Sequence, residues 1–241
     1  AHEINNPTGL ILYNLSVLEK IYKTAEATLE QRYRDEGDFS IGGLRYSLLR
    51  EESAEVFSEM KDGATRIKQI VDDLKDFARK DSVEHEEFVN LNKVADAAIR
   101  LLKGSLKKTT CHIETSFCSP IPEFVGNSHR IEQVVINLLL NACQALTSPE
   151  QLISIRTFVD QKKNELILEV QDEGIGIEPE QIAKLTDPFY TTKREQGGTG
   201  LGLSVSAGII AEHQGRLLFD STPGVGTTVS IRLPINKDLK P

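Results

Sequence analysis

Residues 172–177 read Asp-Glu-Gly-Ile-Gly-Ile after an apolar run, and residues 197–203 read Gly-Gly-Thr-Gly-Leu-Gly-Leu. In the first stretch, Gly174 and Gly176 allow the backbone to approach a flat ring closely and to adopt dihedral angles that other residues disfavour. The Asp172 carboxylate can accept a hydrogen bond from an exocyclic amine. Because adenine is a flat ring that carries such an amine, this stretch predicts an adenine site.

The second stretch leads directly into an apolar helical pattern. Its glycines leave backbone N–H groups free at the positive end of the helix dipole, where phosphate groups can bind. The intervening segment of about twenty residues contains Pro179 and Pro188 and shows little periodicity, which predicts a mobile cover over the site. Two familiar nucleotide signatures are absent from the sequence, the Gly-x-x-x-x-Gly-Lys-Ser/Thr loop and the complete dinucleotide fingerprint.

A helix is predicted over residues 128–146, and it carries a stripe of side-chain amides at Gln133, Asn137, Asn141 and Gln144. A polar stripe usually faces solvent. Here the leucines at 138–140 cover most of the remaining circumference. We therefore expect the asparagines to face a cavity.

Taken in this order, the amide-bearing helix, the two glycine stretches and the Pro-Phe-Tyr-Thr-Thr-Lys segment at 188–193 resemble the histidine-kinase branch of the ATPases whose fold is shared with gyrase, the Hsp90 chaperones and MutL. The resemblance implies that ATP is bound and that Asn141 is the ligand of Mg²⁺ through its amide oxygen. The residues that it implies for ATP binding are Asn137, Asn141, Asp172, Gly174, Gly176, Phe189, Thr192, Lys193, Gly198, Thr199, Gly200, Leu201, Gly202 and Thr227.

Asn137 is informative because gyrase-like relatives carry a glutamate there that activates water. An amide cannot take a proton, so the site is expected to hold ATP without readily hydrolysing it.

Residues 1–7 read Ala-His-Glu-Ile-Asn-Asn-Pro. Pro7 cannot donate to the carbonyl of Glu3, so a helix loosens there and leaves His2 accessible. The segment resembles the phosphoacceptor box of sensor histidine kinases that pair with nitrogen-regulator-type response regulators. The resemblance implies that His2 is the nucleophile, that Glu3 is the adjacent base, and that Asn6 orients water for a reverse phosphatase reaction.

Two stretches downstream of Pro7 repeat apolar residues at alternating spacings of four and three. Their members are Ile11, Leu15, Leu18, Tyr22, Ala25 and Leu29, and then Met60, Ala64, Ile67, Val71, Leu74 and Ala78. One hairpin cannot bury two such faces, so we expect a homodimer that forms a four-helix bundle. Residues 32–51, which include Gly42 and Gly43, interrupt the pattern and make the hairpin longer than is usual in the family.

The predicted fold class is α+β. Residues 1–83 are expected to form the dimerisation and phosphotransfer hairpin, and residues 84–241 an ATP-binding α/β sandwich with a mixed sheet and helices on one face. Strands are predicted at 111–117, 153–159, 165–170, 216–219 and 227–233, and further helices at 90–102 and 202–214.

The composition limits the classes of partner and the cellular compartment that we expect for this chain. The net charge is −8 and the sequence has no basic block, which argues against nucleic acid as the main partner. The apolar runs are far shorter than the roughly 18 residues that a membrane span needs. The three cysteines lack paired spacing. We expect this fragment to be cytoplasmic and without membrane contact, and to follow an N-terminal sensor region that would carry any membrane anchor.

The sequence therefore predicts the core of a sensor protein-histidine kinase of a two-component system. It would phosphorylate His2 from Mg-ATP and pass the phosphoryl group to an aspartate on the receiver domain of a response regulator. Two alternatives stay open, an ATP-driven conformational clamp of the gyrase, Hsp90 or MutL type, and a scaffold pseudokinase that binds ATP without chemistry. Asn137 argues against the clamp, and His2 with Asn141 argues against the scaffold.

Overall fold

A computed structural model describes residues 2–78, 87–110, 112–193 and 198–235. The chain forms two compact units, Ala1–Arg79 and Lys80–Pro241. The domain boundary predicted near residue 84 lies outside the described residues. The structure also does not describe the side chains of residues 2–6, 69–70, 72–78 and 108.

The first unit is a helical hairpin, as the apolar spacing predicted. Its elements are α1 (His2–Glu36), β1 (Ser40–Ile41), β2 (Leu44–Arg45) and α2 (Tyr46–Ala78). Pro7 lies inside α1, near its beginning. In the part of the chain that the structure describes, no helix is long and apolar enough to cross a membrane.

The predicted apolar seams of the hairpin divide between its inside and its surface. Leu15, Ala64 and Val71 are buried between the helices. Alternate members of the same seams are exposed, for example Leu18 (52%) and Ile67 (47%). Each helix therefore buries one edge of its apolar face within the hairpin and leaves the other edge uncovered.

The interruption predicted at residues 32–51 is too long, because only residues 37–45 lie outside the two helices. Helix α1 continues to Glu36, which forms an i,i+4 ion pair with Arg32 (2.8 Å). Gly42 and Gly43, both with positive φ, make the turn between β1 and β2.

An aromatic cluster closes the tip of the hairpin and explains why the helices extend so far. Tyr46 is fully buried and stacks on Phe39, with ring centroids 5.0 Å apart. Its hydroxyl donates to the Glu30 carboxylate at 3.2 Å. Burial raises the pKa of Tyr46 to about 12, with Glu30 acting in the same direction. Asp38 accepts hydrogen bonds from the Ser47 N–H and hydroxyl and so fixes the start of α2.

The second unit contains a sheet and the helices that cover it. Its elements are β3 (Glu87–Val89), α3 (Leu91–Thr109), β4 (His112–Phe117), β5 (Phe124–Gly126), α4 (Ser128–Ala145), β6 (Leu152–Asp160), β7 (Glu165–Asp172), α5 (Pro179–Ile182), α6 (Gly202–Glu212), β8 (Arg216–Thr222) and β9 (Gly226–Pro234). The main sheet has the order β4-β6-β7-β9-β8, with β4 and β6 parallel and the other pairs antiparallel. Strands β3 and β5 form a separate antiparallel pair.

The core lies between the sheet and helices α3, α4 and α6. Alternate residues of the central strands, such as Ile155, Leu168 and Ile231, are fully buried there. The opposite face of the sheet carries ion pairs, including Arg156 with Glu169 at 2.9 Å. This arrangement confirms the predicted mixed sheet with helices on one face.

Two asparagines begin the helices that position the site. The Asn90 side chain accepts hydrogen bonds from the first turn of α3, and the Asn127 side chain accepts one from the Arg130 N–H at 3.0 Å at the start of α4. His213 ends α6 and joins it to α4, because its Nδ1 donates to the Ile209 carbonyl (2.7 Å) and its Nε2 accepts from the Asn127 N–H (3.0 Å). Helices α4 and α6 are thereby fixed to each other.

Candidate functional site

The turn that follows β7 orients the Asp172 carboxylate. Asp172 is the last residue of β7, is only 6% exposed, and lies opposite Thr227 on β9. Its Oδ1 accepts a hydrogen bond from the Gly174 N–H at 2.9 Å. The carboxylate is therefore held by its own turn at the end of the central strand.

Both glycines of this turn are required by close backbone approach. A Cβ on Gly174 would lie 2.5 Å from the carbonyl oxygen of Ala145, which also accepts a hydrogen bond from the Ile175 N–H (3.0 Å). Gly176 has a φ of 68°, and a Cβ there would overlap the Thr222 carbonyl. The last turn of α4 and the end of β8 thus enclose the turn from two sides.

The Gly224–Thr227 segment packs against the same turn. The Gly224 N–H donates to the Ile175 carbonyl at 2.8 Å. Thr227 is buried, and its hydroxyl lies 2.9 Å from the Ser221 hydroxyl. The turn after Asp172 and the Gly224–Thr227 segment are therefore neighbours.

On the amide stripe of α4, Asn137 and Gln144 each have a hydrogen-bond partner, whereas Asn141 is free to bind a ligand. The Asn137 Nδ2 donates to the Ser206 hydroxyl on α6 at 2.9 Å. The Gln144 Oε1 accepts from the Lys193 Nζ at 3.2 Å. Asn141 lies between these two positions and is half-buried, and within the described ranges its side chain has no hydrogen bond. Its amide oxygen can therefore act as a ligand without breaking an existing contact.

Helix α4 brings the predicted segments together along one line. At one end, Gly202 at the start of α6 lies so close to Asn137 that a Cβ would come within 2.5 Å of the Asn137 Oδ1. At the other end, Ala145 contacts Gly174. Eight residues of helix separate the two contacts, or about 12 Å along its axis. An extended ligand can lie between the start of α6 and the turn after β7, with Asn141 beside its middle.

The segment before α6 is held by its own backbone. The Phe189 N–H donates to the Gly200 carbonyl at 2.9 Å, and the Gly198 N–H donates to the Lys193 carbonyl at 2.9 Å. Phe189 and Gly200 have positive φ values of 66° and 71°, and Phe189 is exposed. These bonds bring the two flanks of residues 194–197 close to each other, directly before the N-terminal amides of α6 that have no intrahelical partner.

Asp172 and Lys193 influence each other electrostatically. Burial raises the pKa of the Asp172 carboxyl above its ordinary value, while the backbone groups of Gly174 and Thr227 and the charge of Lys193 oppose that rise. Burial likewise lowers the pKa of the Lys193 ammonium, and the attraction of Asp172 opposes that change. A carboxylate and an ammonium are thus both partly dehydrated at the same end of the site.

Residues 126–237 match the family described as histidine kinase-, DNA gyrase B- and HSP90-like ATPase. A protein of Shewanella frigidimarina described as a sensor protein is 37% identical over 231 residues, which is 96% of this chain and 35% of that protein. Sporulation kinase E of Bacillus subtilis is 28% identical over 99% of this chain and 28% of its own length. The chain contains a sensor histidine kinase ATPase core.

The catalytic domain of the histidine kinase ThkA resembles this core in structure as well, with 27% identity and a TM-score of 0.56 over 63% of this chain and 97% of that domain. The chain spans about a third of the length of the two full-length relatives.

The residues predicted for ATP binding all lie in the second unit. Thr192 is exposed, and the Thr199 hydroxyl accepts from the Leu201 N–H at 3.3 Å. Whether they bind nucleotide stays a prediction. His2, Glu3 and Asn6 lie in α1 of the first unit, and their side chains fall outside the description.

The sequence did not indicate three groups that shape the site. These are the Ala145 carbonyl that receives the Asp172 turn, the Ser206 hydroxyl that holds Asn137, and the Ser221 hydroxyl beside Thr227. Ser206 alone left a signal, since it lies four residues after Gly202 and therefore on the same face of α6. The other two depend on contacts between distant segments.

Proposed function

We propose that this chain is the catalytic core of a two-component sensor kinase. It transfers the γ-phosphoryl group of ATP to His2 and then to an aspartate on a response-regulator receiver domain. In this proposal residues 1–83 are the dimerisation and phosphotransfer hairpin and residues 84–241 the ATP-binding domain. The observation that supports this proposal is the order of three groups along α4. They are the turn after Asp172, the free Asn141 amide and the start of α6.

ATP fits this line from its two ends. The Asp172 carboxylate receives the adenine amine, and Gly174 and Gly176 allow the tightly packed turn that orients this carboxylate. The phosphates lie toward the N-terminus of α6, whose first backbone amides have no intrahelical partner. In this proposal Asp172 binds adenine and the start of α6 binds the phosphates, in keeping with the family resemblance.

The residues present also fit Mg²⁺. The half-buried Asn141 offers an amide oxygen with no competing partner among the described residues. Those residues contain no cluster of three or more His, Cys, Asp or Glu side chains that could hold a metal without the nucleotide. One protein oxygen combined with phosphate oxygens and waters is the usual coordination of Mg²⁺. When bound, the ion would neutralise charge that develops on the phosphates during transfer.

The proposed chemistry at His2 needs only its imidazole and a neighbouring acid. One ring nitrogen attacks the γ-phosphorus, so an N–P bond forms while the bond from phosphorus to the ADP oxygen breaks. Glu3 accepts a hydrogen bond from the other ring N–H and takes that proton as positive charge develops on the imidazole. The receiver aspartate later attacks the same phosphorus and releases the imidazole. Asn6 would orient water for the reverse, phosphatase reaction.

Asn137 favours a kinase over a clamp that hydrolyses ATP. Its side chain is an amide, it donates to Ser206, and its Oδ1 faces Gly202. No proton-accepting carboxylate stands at that position, so water near the phosphates lacks the base that a gyrase-type ATPase uses. ATP bound here would persist until a nucleophile reaches it.

The uncovered edge of the hairpin supports a homodimer. Large apolar residues are exposed along both helices, including Leu10 (61%), Tyr13 (67%), Ile21 (60%) and Met60 (49%). A second copy of the hairpin would cover them in a four-helix bundle. Light scattering should give a dimer for residues 1–241 and a monomer for residues 85–241, and Ile67→Glu should dissociate the dimer. A monomeric full chain at micromolar concentration would refute this part of the proposal.

The reaction class is tested with γ-labelled ATP on a chain extended at its N-terminus, because the first turn of a helix frays at a chain end. The label should survive alkali and be lost in mild acid, as expected of a phosphoramidate. His2→Gln should abolish labelling while ATP binding persists, and Glu3→Gln should slow it. A label that survives His2→Gln would exclude the histidine-kinase assignment. Steady release of phosphate by residues 85–241 would instead favour the clamp.

A further inference from the structure

A row of three polar residues crosses the sheet where β7 ends. Asp172 on β7 pairs with Thr227 on β9, and Thr227 pairs with Ser221 on β8. Directly paired residues on neighbouring strands point to the same face of a sheet. Asp172 and Thr227 are buried, with exposures of 6% and 7%, and Ser221 is half-buried. Thr227 thus lies between the carboxylate and the serine hydroxyl.

The hydrogen bonds of Ser221 use the whole capacity of its hydroxyl group. Its oxygen accepts from the Ile177 N–H at 2.9 Å. The same hydroxyl donates to the Gly226 carbonyl at 2.9 Å, and the Thr227 hydroxyl lies 2.9 Å away. A serine hydroxyl has one proton and two lone pairs. Because a carbonyl can only accept, the Ser221 proton points to Gly226, and the proton between the two hydroxyls comes from Thr227.

This assignment fixes the direction of the Thr227 hydroxyl. Its single proton points to β8, so its lone pairs face the other side, where Asp172 lies on β7. An ionised carboxylate also only accepts, and one Asp172 oxygen already takes the Gly174 N–H at 2.9 Å. The two neighbouring side chains therefore present acceptors and no donor to a ligand at this end of the sheet.

The spacing of these two acceptors fits one amino group. Directly paired antiparallel residues have Cβ atoms about 5 Å apart. A planar amine has two N–H bonds about 120° apart and reaches an acceptor at about 2.9 Å along each, so it spans acceptors about 5 Å apart. The 6-amino group of adenine carries two such hydrogens. A 6-oxo purine has an acceptor in their place.

We propose that Ser221 is a positioning residue that sets base specificity. It takes the proton of the Thr227 hydroxyl, so that Thr227 and Asp172 both accept from the 6-amino group of ATP and disfavour a 6-oxo purine nucleotide. This inference rests on the proposed function, because it assumes that ATP binds with its adenine at Asp172. It goes further by giving a role in the choice of base to Ser221, which acts on the ligand through Thr227.

The test compares Mg-ATP with Mg-ITP, whose base carries oxygen at position 6, by isothermal titration of the full chain. Wild type should bind Mg-ATP about a hundredfold or more tightly than Mg-ITP, because the 6-oxygen meets two acceptors. Ser221→Ala frees the Thr227 proton, which can then be donated to the 6-oxygen of ITP. The preference for ATP, taken as the ratio of the two dissociation constants, should therefore fall about three- to tenfold.

Two further variants separate the direction of the hydroxyl from the stability of the fold. Ser230→Ala is the matched control, because Ser230 is a buried serine on β9 that donates to Glu169 at 3.0 Å on the opposite face of the sheet. It should leave the preference for ATP unchanged. Thr227→Val removes the second acceptor and should lower the preference, and Ser221→Ala added to it should cause no further change. Circular dichroism checks that each variant is folded.

The inference is overturned if Ser221→Ala weakens both nucleotides by the same factor, since the serine would then only support the turn through Ile177. A preference for ATP that rises in Ser221→Ala, or that falls equally with and without the Thr227 hydroxyl, would also overturn it. An unchanged preference in Thr227→Val would do the same. Failure of the proposed function gives a different result, because wild type and every variant would then bind neither nucleotide.

Discussion

Asn137 on α4 donates a hydrogen bond from its Nδ2 to the Ser206 hydroxyl on α6 at 2.9 Å. The same side chain presents its Oδ1 to Gly202, the first residue of α6. One amide thus fixes the start of α6, where the phosphates are proposed to bind, to the helix that carries Asn141. Gyrase-like relatives carry a hydrolytic glutamate at this position, whereas the asparagine of this chain holds two helices together.

Ser206→Ala is expected to destabilise the second unit by about 1–2 kcal/mol, because it leaves the half-buried Asn137 amide without its acceptor. Urea unfolding followed by circular dichroism measures the change. Ser105→Ala, on the exposed face of α3, serves as the control and should have little effect. In a double-mutant cycle with Asn137→Ala the two losses should not add, and full additivity would show that this bond does not contribute to stability.

A second prediction contrasts two glycines of the same unit. Gly174→Ala puts a Cβ 2.5 Å from the Ala145 carbonyl oxygen, a backbone atom that cannot move aside without shifting α4. We expect a loss of about 1–3 kcal/mol in stability together with loss of ATP binding. Gly208→Ala in α6 meets nothing within 4 Å and should stabilise the unit by about 0.5–1 kcal/mol. Equal effects of the two changes would contradict the close packing of the Asp172 turn.

His213 gives a third prediction. Its imidazole accepts from the Asn127 N–H and donates to the Ile209 carbonyl, so it must be the neutral tautomer with its proton on Nδ1. His213→Ala is expected to cost about 1–3 kcal/mol, because a backbone donor at the start of α4 loses its acceptor. His129→Ala, at a side chain that is 91% exposed, should leave stability nearly unchanged. Thermal unfolding of both variants distinguishes them, and matching melting temperatures would refute the bridge between α4 and α6.

The sequence predicted the long, regular elements of the fold better than the short ones. Helix α4 was expected at 128–146 and is found at Ser128–Ala145, because its apolar residues recur over five turns. Strands β3 and β5 have three residues each, and β1 and β2 have two. Segments of that length carry no period, so they could not be predicted.

For the site, the sequence predicted features that depend on neighbouring residues but not contacts between distant segments. Local signals such as Asp172, its glycines and the amide stripe were visible because neighbours in sequence are neighbours in space. The partner of Lys193 was not visible. Gln144 lies 49 residues before it, and the contact depends on how two distant segments meet.

Glu19 provides a pH-dependent prediction for the hairpin. Hydrogen bonds from Lys61 on α2 and then from Lys23 lower the pKa of this carboxyl from 4.5 to about 2. A lowered folded-state pKa means that the ion pair contributes stability above pH 4.5 and that this contribution is lost as the pH falls from 4.5 through 2. Glu19→Gln should therefore melt at a lower temperature than wild type at pH 7, and the two should converge near pH 2. Glu55→Gln, at an exposed position on α2, is the control and should match wild type at both values. A difference for Glu19→Gln that persists at pH 2 would show that packing, not charge, is responsible.

The last prediction is that the Asp172 carboxylate lowers the stability of the fold while it contributes to ATP binding. Burial raises the pKa of this carboxyl, so folding disfavours its ionised form. Asparagine keeps an oxygen that can accept from the Gly174 N–H, now 2.9 Å from the carboxylate, and it carries no charge. Asp172→Asn should therefore raise the free energy of unfolding at neutral pH and weaken ATP binding, because an amide oxygen accepts less strongly from the adenine amine.

The pH dependence separates the charge of Asp172 from other effects of the substitution. Below the ordinary pKa of 3.8 the carboxyl is protonated in the folded and unfolded chains alike, so wild type and Asp172→Asn should be equally stable. As the pH rises through 3.8 and then through the raised folded value, the unfolded chain ionises first and wild type loses stability relative to the variant. The gap should then stay constant up to neutral pH. Urea unfolding at pH 3.5, 5 and 7 tests this order. A variant that is less stable than wild type at pH 7 would mean that the fold stabilises the carboxylate, and Asp172 would then contribute to stability as well as to binding.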